Sequence, residues 1–191
     1  MSASFKIDVW NAWIFMSVFI LQMIIVMCAG SRLRTRSHVP PEARRTVFDK
    51  YTGIAGNLVW FSALGYSVFL PLRLGTLWFY SGLFLFVPGV IILALATYTF
   101  MNTPADQMIK SGVYKYSRHP MYAATFLICM GSGIAAASWI FVILSVIMAF
   151  CFRNEAIIEE IYCLDTYKDE YEHYMKAVPR WLGISKSKGF N

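Results

Sequence analysis

The chain has 191 residues, of which 58% are hydrophobic, 17% aromatic and only 15% charged. That is too apolar for an ordinary soluble domain and predicts an all-α integral membrane protein. Its formal net charge of +6 is accounted for by membrane topology and anionic lipid, and calls for no nucleic acid.

In chain order, three apolar stretches are long enough to span a bilayer, which takes about 20 residues: 9–29, 54–72 and 77–100. The first follows "MSASFKID" without a small-residue cleavage pattern, so it reads as a retained helix and not a signal peptide. A fourth block, 121–152, would be about 48 Å long as one helix and overshoots a hydrocarbon core of about 30 Å. It must fold back, at "GSG" 131–133 or at "AAAS" 135–138, giving about five transmembrane helices with the last two as a hairpin.

The basic residues then orient the molecule. Arg32, Arg34, Arg36, Arg44, Arg45 and Lys50 lie in one connecting segment, Lys110, Lys115 and Arg118 in a second, and Arg153, Lys168, Lys176, Arg180, Lys186 and Lys188 after the last span. Five spans put all three segments on one side, opposite Lys6 and Arg73, and the positive-inside rule makes that side cytoplasmic with the N-terminus outside. The expected organisation is one compact domain. Residues 1–100 supply three helices and a basic loop; residues 101–191 supply the site-bearing region, the hairpin and a C-terminal amphipathic helical cap. Cys28, Cys129, Cys151 and Cys163 stand singly, a spacing that predicts neither disulfide nor metal. An inverted repeat of the transporter kind is absent.

Two segments carry concentrated polar chemistry. In "KSGVYKYSRHPMY", 110–122, the Ser-Gly pair breaks the preceding stretch, and Pro120 stands where a helix would begin. Met121 and Tyr122 would open a helix whose free N–H groups and positive dipole end suit an anion such as a carboxylate. The plainer alternative is an interfacial belt of tyrosines and basic residues.

In "CFRNEAIIEEIYCLDTYKDEYEHYMKAVPRWL", 151–182, the last span runs on into charged sequence. Arg153 and Glu160, seven apart, share a helix face, and Glu155 and Glu159 share another. A salt-bridged exit helix, or an amphipathic helix with Tyr167, Tyr171 and Tyr174 in the interface, would explain these residues. Charges near the membrane boundary are also costly and often functional. The two segments flank one hairpin, so they must emerge side by side.

Taken together, "SGVYKYSRHPMY" and, after a short hairpin, an arginine, "EE" and "YKDEYEHYMKAVPRWL" resemble the isoprenylcysteine carboxyl methyltransferase family, in a prokaryotic-type form, and its phospholipid methyltransferase relatives. The resemblance spans about residues 100–182. It implies methyl transfer from S-adenosylmethionine, leaving S-adenosylhomocysteine, to a lipophilic acceptor such as the C-terminal carboxylate of a prenylated cysteine.

Carried over residue by residue, the cofactor-binding pattern falls on Gln107, Met108, Ile109, Lys110, Tyr114, His119, Pro120, Met121, Tyr122, Glu159 and Glu160. Arg153 and Glu160 take the catalytic positions, Arg153 toward the acceptor carboxylate. Glu160 is favoured over Glu159 because it shares the face of Arg153, and His119 is expected to hydrogen-bond cofactor more than to act as a base. His38 and His173 are bystanders. Lys168 and Tyr167 stand where the family usually has glycine and phenylalanine, a departure that bears on the local turn. Two rival functions share parts of this pattern: a sterol-type reductase using NADPH, which would carry "HPNY" where this chain has "HPMY", and a non-catalytic scaffold for anionic lipid.

Overall fold

The structure is a computed structural model that describes residues 9–28, 46–104 and 107–183. Arg32, Arg34, Arg36, His38, Arg44 and Arg45 of the basic loop, together with Lys6, Lys186 and Lys188, lie outside the described residues.

Among the described residues, five α-helices follow in order: α1 (Trp13–Cys28), α2 (Val47–Ser67), α3 (Leu77–Asn102), α4 (Pro120–Ala135) and α5 (Trp139–Ala177), with a 3-10 turn at Gly112–Lys115 before α4. Among the described residues the remaining regular feature is one isolated β-bridge, Asn11 to Pro71. Side-chain caps mark three of the helix starts. Thr46 and Asp49 form a reciprocal capping box on α2, Thr46 Oγ1 accepting from the Asp49 amide at 3.2 Å and Asp49 Oδ2 from the Thr46 amide at 2.7 Å. Thr76 and Ser138 cap α3 and α5.

Two of the predicted spans need correction. The 54–72 helix begins at Val47 and ends at Ser67, because Pro71 drives the residue before it out of helical geometry. Residues 70–72 instead pair with 10–12, Ala12 N donating to Leu70 O at 2.8 Å and Leu72 N to Trp10 O at 3.0 Å. That pairing also delays α1 to Trp13. Of the two candidate bends, "AAAS" makes the turn, with Ala137 at φ 51°, while "GSG" lies inside α4. Two helices, α3 and α5, are long and apolar enough to cross a bilayer; α1 and α4 are apolar but shorter. Residues 10–12, 68–76 and 135–138 meet at one end, where Arg73 N donates to Ala135 O; at the other, the start of α2 joins α5 through Asn154 and residues 116–119 join the segment after α5.

Small residues bring α3 and α4 into backbone contact. A Cβ on Gly82 would lie 2.4 Å from the Gly131 carbonyl oxygen, and one on Gly131 would lie 2.6 Å from that of Gly82. Helices in lipid associate by such close packing, because apolar side chains gain nothing by leaving apolar tails. Aromatic contacts tie α1 to this pair and to α2: Phe15 stacks on Phe86 at 4.1 Å and Phe19 meets Trp60 edge-on at 4.7 Å. Asn154 Nδ2 donates to Asp49 Oδ1 at 3.0 Å and to Thr52 Oγ1 at 2.7 Å, fastening the start of α2 to α5.

At Lys168 (φ 47°, ψ −122°) α5 kinks, in a conformation that only glycine adopts without strain. Beyond the kink, Tyr171, Tyr174 and Ala177 turn inward on Met108 to form a second small core, while Glu172, His173 and Lys176 face outward.

Two substitutions should move thermal stability in detergent in opposite directions. Gly82→Val should lower it by about 3 kcal/mol or more, overpacking with backbone as the obstacle. Lys168→Gly should raise it by about 1 kcal/mol, by relieving the strained backbone.

Candidate functional site

The polar end is stapled by the chain crossing itself. Residues 116–119 run beside 179–183: Arg118 N donates to Pro179 O at 3.0 Å, His119 N to Arg180 O at 3.3 Å, and Gly183 N to Tyr116 O at 3.1 Å. Ser117 Oγ donates to Arg180 O and accepts from His119 N. His119 thereby sits immediately before Pro120, which occupies the first turn of α4 as the sequence predicts, and no side chain caps that helix start.

Glu160, 3% exposed, is the centre of this crossing. Arg180 grips its carboxylate with two bonds, Nε to Oε1 at 2.9 Å and Nη2 to Oε2 at 2.7 Å. Arg118 Nη2 reaches Oε1 at 3.2 Å and His119 Nε2 the same oxygen at 3.2 Å. The other ring nitrogen, Nδ1, faces Glu159 Oε2 at 3.3 Å, and Tyr122 donates its hydroxyl to Glu159 Oε1 at 2.5 Å. The ring of Tyr122 is stacked between His119, 5.7 Å away, and Phe152, 4.8 Å away.

A carboxylate only accepts, so an imidazole between two of them is best satisfied as the doubly protonated cation. Burial pulls the His119 pKa down, but the hydrogen bonds and charges of Glu159 and Glu160 outweigh it and the net shift is upward from 6.5. Burial pushes Glu160 up, and the hydrogen bonds from His119 and Arg180 with the charge of Arg118 reverse this, lowering it to about 2. Three cations thus surround two carboxylates. The Glu160 oxygens are engaged by protein groups, whereas the Glu159 side chain is 34% exposed.

The predicted site residues divide into three groups, with Arg153 apart from all of them. His119, Pro120, Met121, Tyr122, Glu159 and Glu160 are gathered here. Met108 and Tyr114 are buried under the α5 extension, Tyr174 donating to Tyr114 O at 2.7 Å. Gln107, Ile109 and Lys110 lie toward the surface, Lys110 paired with Glu170 at 2.7 Å. Arg153 shares the helix face of Glu160 but stands two turns away, exposed and without an ion pair to another described residue. His173 is exposed. Arg118 and Arg180 were not singled out by sequence reasoning. The signal for Arg180 was its place in "VPRWL", a charge set among apolar residues and therefore in need of a buried partner.

Against this cluster lies a cavity of about 770 Å³, lined by Met121, Tyr122 and Thr125 of α4 and by residues of α1, α2, α3 and α5. The sequence profile of the phospholipid methyltransferase family matches residues 70–170, just over half of the chain. The chain belongs to that family. The matched part of this phospholipid methyltransferase family member contains α3, α4, His119 and both glutamates, and leaves out α1, α2 and Arg180. The chain is also 30% identical over 78 residues to the protein-S-isoprenylcysteine O-methyltransferase of Schizosaccharomyces pombe, a match covering 40% of this chain and 33% of that protein. The chain therefore spans about a third of the length of that curated relative.

Arg180→Ala should destabilise the protein by about 2–3 kcal/mol, because it strips a buried carboxylate of its bidentate partner. The cluster also sets a pH window. With its pKa lowered to about 2, Glu160 contributes stability above 4.5, its ordinary value, and loses that contribution as pH falls toward 2. With its pKa raised, His119 contributes below 6.5 and loses its contribution as pH rises through the folded-state value. Stability should fall on the alkaline side of 6.5 in the wild type, and this slope should flatten in His119→Gln; thermal melts across pH would measure both.

Proposed function

We propose that the chain is a membrane methyltransferase that uses S-adenosylmethionine and acts on a lipophilic acceptor, with the carboxylate of a prenylated cysteine as the acceptor class. The observation that carries this reading is the adjacency of the His119–Tyr122–Glu159 face, polar and partly open, to a largely apolar cavity, the two meeting at Tyr122. A water-soluble cofactor and a lipid-soluble acceptor need such a boundary. Family membership supports methyl transfer over the reductase and scaffold readings. The lopsided distribution of Lys and Arg supports placing this end in the cytoplasm.

The residues present fit the cofactor. Glu159 offers an accessible carboxylate suited to a sulfonium or amino group, Trp181 offers a partly exposed aromatic ring beside His119, and the uncapped start of α4 suits a carboxylate. When bound, the cofactor supplies a methyl group on a positively charged sulfur, which leaves with the bonding electron pair as a new C–O bond forms to the acceptor.

A carboxylate acceptor is ionised at neutral pH, so the protein need not remove a proton. Its work is to hold the reacting groups in line and to keep water away from them. Glu160 then acts as a positioning residue that fixes His119 between the two carboxylates. Arg153, exposed at the same end, attracts the anionic acceptor from outside.

The family description favours a second acceptor class, a phospholipid amine. That reaction would require loss of an amine proton before transfer, a demand the carboxylate does not make.

Calorimetric titration in detergent should show S-adenosylhomocysteine binding and no NADPH binding. His119→Ala and Tyr122→Ala should each weaken that binding by about tenfold, on the order of one hydrogen bond to a charged group, with helicity retained. NADPH binding in its place would reverse the reading. Arg153→Ala should raise the acceptor KM at low salt and leave cofactor affinity unchanged.

A further inference from the structure

The cavity beneath Tyr122 is built by both halves of the chain. Tyr122 and Phe152 come from the stretch that matches the family, whereas Phe19, Lys50, Asn57 and Trp60 come from α1 and α2, which lie before it. Along α2 the lining runs from Lys50 to Trp60, about 15 Å of helix at 1.5 Å per residue. That is about half of a 30 Å hydrocarbon core. The lining is graded over this depth. Lys50 stands in the first turns of α2, at the level of Tyr122 in the first turn of α4, and the far end is closed by Trp60 against Phe19.

Three features single out Lys50. Among the described residues it is the cation of the cavity lining, and its side chain is exposed, with no hydrogen bond or ion pair to another described side chain. The carboxylate-bearing residue of the lining, Glu155, already has an interaction of its own. A cation near the start of a helix is opposed by the helix dipole, so Lys50 does not serve the stability of α2. Finally, the Asn154 bonds to Asp49 and Thr52 on either side of it fasten this turn to α5 and hold residue 50 in the cavity lining.

We infer that α1 and α2 form the acceptor-selecting half of the molecule: Lys50 reads the anionic head of an amphiphile whose apolar tail lies along Trp60 and Phe19. The anion is a carboxylate on a prenylated cysteine or a phosphate on a phospholipid, and Lys50 is a specificity-determining residue for either. The inference rests on the methyl-transfer reading for the fate of the amphiphile, but not for its binding, which needs no cofactor.

The test is calorimetric titration of the full chain, without cofactor, with three amphiphiles: N-acetyl-S-farnesylcysteine, its methyl ester, and phosphatidylethanolamine in mixed micelles. Lys50→Gln should weaken binding of the farnesylcysteine acid by about tenfold, the scale of one charged hydrogen bond, and leave its neutral ester unchanged. Lys50→Arg should restore the acid, and Trp60→Ala should weaken acid and ester alike. A loss confined to phosphatidylethanolamine would support the same site with phosphate as its anion.

In turnover with the acid, Lys50→Gln should raise KM with kcat and S-adenosylhomocysteine affinity kept. Equal binding of all three amphiphiles by wild type and Lys50→Gln, or equal losses for acid and ester, would overturn the inference. If the Lys50 effect were present and S-adenosylhomocysteine failed to bind the wild type, the acceptor site would stand and the methyl-transfer reading would fall.

Discussion

The polar end of this protein depends on burying one carboxylate, that of Glu160. An ionised carboxylate at 3% exposure is tolerable only if its oxygens are paired, and the pairing recruits groups distant in sequence: Arg118 and His119 from before α4, and Arg180 from beyond the end of α5. To bring Arg180 back, α5 must bend at Lys168 and the following segment must run beside 116–119. The strain at Lys168 and the crossing of the two segments are thus consequences of one electrostatic requirement. The same requirement places His119 between two acceptors and leaves Glu159, the neighbour of Glu160 in sequence, bonded to Tyr122.

The membrane-embedded half obeys a different physics. With no hydrophobic gain from bringing helices together in lipid, α3 and α4 rely on glycines that let backbone meet backbone. This tight pair supports the hairpin, and the hairpin positions both halves of the polar cluster. α1 and α2 are joined to it by aromatic contacts and by the Asn154 bonds, and they enclose a cavity with it instead of packing solidly.

Much of this was legible in the sequence, for physical reasons that differ by element. The 77–100 stretch carries no charge and no interior break beyond Pro88, and its helix matches to within two residues. Pro120 announced the start of α4 because only a helix start tolerates a missing amide. The convergence of "RHPMY" with "EE" followed from counting spans, since the two ends of a hairpin must meet. The limits of α2 were less legible, because Pro71 acts on the residue before it while residues 68–72 remain apolar enough to pass for helix. Arg153 and Glu160 do share a face, as their spacing required. Periodicity cannot tell that one of them is buried by a strap returning from residue 180, so neither the part of Arg180 nor the isolation of Arg153 could be read from α5 alone.

Methyl transfer to a carboxylate is tested most directly by the fate of a labelled methyl group. The purified chain would be incubated with methyl-tritiated S-adenosylmethionine and N-acetyl-S-farnesylcysteine in one reaction and phosphatidylethanolamine in another. The account predicts label in the farnesylcysteine product, released as volatile methanol by base, as an ester requires. Label in a base-stable N-methyl phospholipid alone, or in neither product under conditions where S-adenosylhomocysteine binds, would contradict it.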